Sequence, residues 1–153
     1  MQSKLYKSNR TIVTTEQYLE QPYWVIDILP KQVPANSGGQ YFSIEEYYRS
    51  HPRIDAVYSK FTDILLKLNC YEEMAFSSDG EEWTTNPAPA DIETMVTQCL
   101  SNKTMLYILL PSADALITIS SDDTYMTVYH PNEETIGMLT ALAASVGLFF
   151  WQP

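Results

Sequence analysis

Met105-Leu-Tyr-Ile-Leu-Leu110, Ala115-Leu-Ile-Thr-Ile-Ser120 and Thr124-Tyr-Met-Thr-Val-Tyr129 follow one another with only short breaks between them. The first run is almost wholly apolar, the pattern of a strand buried on both faces. The next two alternate. Leu116, Thr118 and Ser120 point one way and Ile117 and Ile119 the other, while Tyr125, Thr127 and Tyr129 oppose Met126 and Val128. Ser121-Asp122-Asp123 has turn chemistry, so the second and third runs predict a hairpin. A helix is predicted from about Asn132 to Val146, with Asn132 as its cap and Glu133 and Glu134 in the first turn. Gly147 stops it, and Leu148 to Trp151 returns as a strand.

Working outward, the clearest helix is Arg53 to Leu68. Ile54, Val57, Tyr58, Phe61, Ile64, Leu65 and Leu68 recur at spacings of three and four, one continuous apolar stripe. Asn69 is expected to end it in a left-handed conformation. Ser43-Ile-Glu-Glu46 reads as a capping box opening a short helix from Ile44 to about Ser50. Tyr71 to Ser77 and Glu81 to Thr85 read as a strand pair turning at Asp79-Gly80, the second short and at an edge. A helix from Asp91 to about Leu100 puts Ile92, Met95, Val96 and Cys99 inward. Near the N-terminus, Thr15 to Glu20 reads as a helical turn, and Tyr23 to Leu29 as a strand with Trp24, Ile26 and Ile28 inward and Asp27 solvated. Ser37-Gly-Gly39 marks a connector rather than a phosphate loop, since no Gly-Lys-Ser/Thr follows.

The expectation is therefore one α+β domain of an antiparallel sheet of about five or six strands with helices packed against it. After residue 53 the order is α-β-β-α-β-β-β-α-β, and residues 1–40 form a less regular N-terminal extension containing one strand. This order resembles the profilin-like and roadblock-like layouts over about 95 residues. Such layouts host unrelated functions, so the resemblance concerns architecture alone.

Charge is unevenly placed. Residues 1–69 carry eight Lys/Arg and seven Asp/Glu; residues 70–153 carry only Lys103 against twelve acidic residues. A field of that sign repels phosphate backbones and favours a basic partner or a cation, which argues against nucleic acid. No apolar run reaches the ~18 residues of a membrane span, and the first ten residues lack the apolar core of a secretory signal. A cytoplasmic location without membrane contact is expected.

His51 and His130 lie in no nucleophile or metal motif, and Cys70 and Cys99 read as packing residues rather than a zinc set. Ser78-Asp-Gly-Glu-Glu82 is too short for a calcium loop. No metal, cofactor or catalytic residue is assigned, and catalysis is not expected. Eleven tyrosines and three tryptophans suit a binding face. Asp122, Asp123, Tyr125, Tyr129, Glu81, Glu82 and Trp83 are the candidate contact residues, presented to a basic protein partner. The rival reading is an enzyme or small-ligand sensor. A concave pocket with convergent polar groups and shifted titration would favour the rival, and a flat acidic surface the binder.

Overall fold

A computed structural model describes residues 14–153. In chain order the elements are α1 (Thr15–Leu19), β1 (Tyr23–Asp27), α2 (Gln40–Arg49), α3 (Arg53–Leu68), β2 (Ala75–Ser77), β3 (Thr84–Thr85), α4 (Pro89–Ser101), β4 (Met105–Leu110), β5 (Ala115–Ser120), β6 (Tyr125–Tyr129), α5 (Glu133–Ser145) and β7 (Phe149–Trp151). The strands form one antiparallel sheet in the order β3-β2-β4-β5-β6-β1-β7. The architecture is α+β as expected, with seven strands rather than five or six.

One face of the sheet is the main core. Leu106, Ile108 and Leu110 of β4, Ile117 and Ile119 of β5, Met126 and Val128 of β6 and Ile26 of β1 meet the stripe of α3. All seven predicted stripe residues are buried, Phe61 completely. Ile92, Val96 and Cys99 of α4 and Leu139 and Ala143 of α5 join this cluster. Asn132 caps α5 by accepting the Thr135 amide at 2.8 Å, and Gly147 ends the segment at φ +78°.

Four local expectations fail for identifiable reasons. Helix α2 starts at Gln40 rather than Ile44. Gly38 and Gly39, both at positive φ, turn the chain directly into the helix, and the Ser43 amide already bonds the Gly39 carbonyl, so Ser43 is not its cap. Asn69 is right-handed (φ −64°), and its side-chain amide instead donates to the Glu72 carbonyl at 3.0 Å. That turn delays β2 until Ala75. Residues 81–83 stay out of β3 because the Asp79 carboxylate accepts the Glu81 and Glu82 amides at 2.8 and 3.0 Å, a local alternative to the ladder. Finally, Asp27 accepts the Ile28 amide at 2.7 Å and ends β1 there, short of Leu29.

The second face of the sheet is covered over only part of its width. Tyr18 of α1 packs on Ala75, Leu109 and Leu116 with Trp83 beside it, a small satellite core over β2, β4 and β5. The Tyr18 hydroxyl anchors α1 by donating to the Asp114 carboxylate at 2.6 Å. Among the described residues, no helix lies on this face over β6, β1 and β7. No helix among the described residues is long and apolar enough to cross a membrane.

Candidate functional site

Register builds the floor of the site. β1 pairs with β6 so that Tyr23 faces Tyr129, Val25 faces Thr127 and Asp27 faces Tyr125. On its other edge β1 pairs with β7, placing Trp151 opposite Val25 and Phe149 opposite Asp27. Alternation sends all of these to the face away from the α3 core, in rows whose members are about 5 Å apart. The segment from Leu29 to Ser37 then folds back over this floor, and Tyr41 and Phe42 at the start of α2 close one end. The result is a groove of about 650 Å³. Its rim is aromatic: Tyr23 is 46 % exposed and Phe42 69 %. Tyr23 and Tyr129 lie with ring centres 5.9 Å apart.

Carboxylates gather at the closed end. Asp27 is half-buried rather than solvated, because its face of β1 looks into the groove and not into open water. Burial raises its pKa, opposed by the Ile28 and Leu29 amides and reinforced by the Glu45 charge. No Lys, Arg or His nitrogen lies within ion-pair distance of Asp27 among the described residues. The Trp151 indole N–H is shielded from solvent and lies near this carboxylate, slightly favouring its charged form without a well-formed hydrogen bond. Glu45 accepts the Tyr41 hydroxyl at 2.8 Å and has the Arg49 guanidinium 3.7 Å away. Asp123 is also raised, first by burial, with the Tyr125 hydroxyl and Arg49 working against that. The phenols of Tyr41 and Tyr125 are both pushed up to about 12, by burial first and then by the neighbouring carboxylates. Among the described residues, the one ammonium in the lining is Lys31.

The candidate contact residues divide between two places. Tyr125 and Tyr129 line the groove, and Asp123 sits beside Tyr125. Asp122 is exposed at the tip of the β5–β6 turn, where it lines an adjoining cavity with Glu45, Glu46, Arg49 and His51. Phe42 belongs to both cavities and forms the ridge between them. Glu81, Glu82 and Trp83 belong elsewhere. They lie beside β3, four strand spacings from β6, on the order of 19 Å. Glu81 and Glu82 are exposed on the Asp79 loop, while Trp83 is half-buried against the satellite core.

Sequence reasoning missed Asp27, Tyr23, Tyr41, Phe42, Glu45 and Trp151. The alternation within β1 was visible, but which of its faces would be roofed depends on where the 29–37 connector folds. Of the β5 hydroxyls, Thr118 is buried at 6 % exposure and Ser120 is half-open. His130 is held by the turn before β5, its Nδ1 2.8 Å from the Asp114 carbonyl, and Cys99 is buried with its thiol pKa pushed up to about 11. Neither lines the groove. No group of three or more metal-ligating side chains occurs among the described residues. No family model, curated protein or solved structure matches this chain, so its own geometry carries the functional argument.

Proposed function

We propose that this is a non-catalytic cytoplasmic binding protein that captures a basic protein partner at the groove over β6, β1 and β7. The reading rests on one observation: this half of the sheet face brings Tyr23, Asp27, Tyr125, Tyr129 and Trp151 together in one groove, with no helix of the described residues over them. Aromatic side chains give large contact area at little entropy cost and concentrate where proteins bind each other. The acidic C-terminal half supplies attraction at a distance, with Asp122 exposed beside the groove.

The groove's concavity and its raised carboxyl and phenol pKa values favour the small-ligand rival by the criterion set above, so that reading stands second, and they amend the first. The partner enters the groove instead of resting on a flat acidic surface. Affinity capture from native extract with the protein and with Tyr125→Ala, followed by mass spectrometry, tests it. A basic protein retained by the native form and lost by Tyr125→Ala supports the proposal. An acidic partner, or retention indifferent to Tyr125, refutes it. If instead a low-molecular-weight compound co-purifies and shields the groove, the sensor reading takes its place.

A further inference from the structure

Asp27 presents an unusual combination in this molecule. It is half-buried, it has no cation within ion-pair distance among the described residues, and it sits between Tyr125 and Phe149 on the floor of an aromatic groove. A carboxylate removed from water without a positive partner is a cost the fold carries unless a cation arrives. Its surroundings also select the kind of cation. The faces of Tyr23, Tyr41, Tyr125, Tyr129 and Trp151 carry the negative quadrupole that attracts a positive charge, and flat walls suit a planar one. A bare metal ion would need several convergent oxygens at close range, and no group of three or more such ligands is placed to hold one among the described residues.

We propose that the groove is a receptor for an arginine side chain projecting from the basic partner, with its guanidinium seated against the Asp27 carboxylate and stacked between aromatic rings. This rests on the reading of the groove as a partner site and names what enters it. Arginine fits ahead of lysine because a guanidinium is planar, weakly hydrated and stacks on aromatic faces, while an ammonium is a compact, strongly hydrated point charge. Among the described residues, the other charges facing the site are Glu45 and Arg49 from α2, Asp123 from the β5–β6 turn and Lys31 from the roof. Glu45 and Arg49 lie 3.7 Å apart and largely cancel, which leaves two carboxylates, Asp27 and Asp123, against the single ammonium of Lys31.

The test titrates the full chain, isotopically labelled, with the peptide acetyl-Gly-Gly-Arg-Gly-Gly-amide and its lysine and citrulline counterparts, following amide and indole signals by NMR. Citrulline keeps the shape of arginine and loses the charge. The arginine peptide should move the Val25, Asp27, Thr127 and Trp151 signals saturably and bind about tenfold tighter than the citrulline peptide. That factor corresponds to ~1.4 kcal/mol, close to the net worth of a hydrogen bond between charged partners, here the guanidinium and the Asp27 carboxylate. Asp27→Asn, nearly isosteric and checked for an unchanged signal pattern elsewhere, should remove that preference. Equal binding of the arginine and citrulline peptides overturns the proposal, as does a response away from the groove or a response that survives Asp27→Asn. Tighter binding of free L-arginine than of the peptide would also overturn it, by making the ligand a metabolite. The two levels separate cleanly. A partner lost by Tyr125→Ala but retained by Asp27→Asn sinks the arginine assignment alone, whereas arginine-peptide binding with no macromolecular partner sinks the partner reading.

Discussion

Tyr58 ties the helix layer to the turn that carries the acidic residues, and removing its hydroxyl gives a sharp test of that linkage. The ring is buried at 2 % exposure in the α3 stripe, and its hydroxyl donates to the Ser120 carbonyl at 2.6 Å and lies 3.1 Å from the Asp123 carbonyl. Burial drives its pKa up, which keeps the hydroxyl a donor at neutral pH. Tyr58→Phe leaves the packing intact and takes away that donor. The Ser120 carbonyl keeps the Asp123 amide at 2.9 Å, so only part of the acceptor capacity is orphaned. A net hydrogen bond is worth about 1 kcal/mol and a wholly orphaned buried acceptor about 1–3. The expected loss is therefore about 1–2 kcal/mol, read as a lower urea midpoint at unchanged slope. For a chain of this size that is a fall of very roughly 2–8 °C in Tm. The variant should also loosen Asp122 and Asp123, visible as faster amide exchange across the β5–β6 turn. Unchanged stability together with unchanged exchange would refute the claim that Tyr58 holds this turn.

Other outcomes follow from the core, the Asp79 loop and the buried carboxyls. Phe61→Ala should cost about 3–5 kcal/mol, the range for a fully buried aromatic, and a midpoint that barely moves would contradict the packing of α3. Millimolar Ca²⁺ or Mg²⁺ should leave Tm unchanged, since Asp79 is already engaged by backbone amides; a shift of several degrees abolished by Asp79→Asn would contradict this. Asp27 holds its proton more tightly folded than unfolded, so its contribution to stability grows as pH falls through the raised folded value towards 3.8, and is lost above it. Asp27→Asn should therefore gain stability relative to the native protein at about pH 7 and lose that advantage at about pH 4, checked by urea titration at both; an advantage that does not change with pH would refute it.

The elements that pack on the α3 side were legible because their signals are periodic and long. The stripe from Ile54 to Leu68 and the alternation from Ala115 to Tyr129 each repeat several times, so one misplaced residue does not erase them. Short elements were set by single side-chain hydrogen bonds that periodicity does not register. Asp79 capturing two amides shortened β3, and Asn69 reaching Glu72 delayed β2. The groove was half legible. Tyr125 and Tyr129 were visible as one face of a hairpin, but Asp27 and Trp151 join them only through β1–β6 and β1–β7 pairing between residues about a hundred or more apart in the chain. Glu81, Glu82 and Trp83 were grouped with them by composition, and the sheet order separates them.

The claim that acidic charge guides a basic partner into an aromatic groove is tested most directly by association kinetics of the captured partner at two salt concentrations, with the native protein and with Asp122→Lys. Asp122 suits this use because it is exposed, whereas Asp123 is half-buried beside Tyr125. The account predicts that association slows as salt rises and screening shortens to roughly 10 Å at 0.1 M, that Asp122→Lys slows it further at low salt, and that dissociation changes little in either case. An association rate indifferent to both salt and Asp122→Lys would contradict the account.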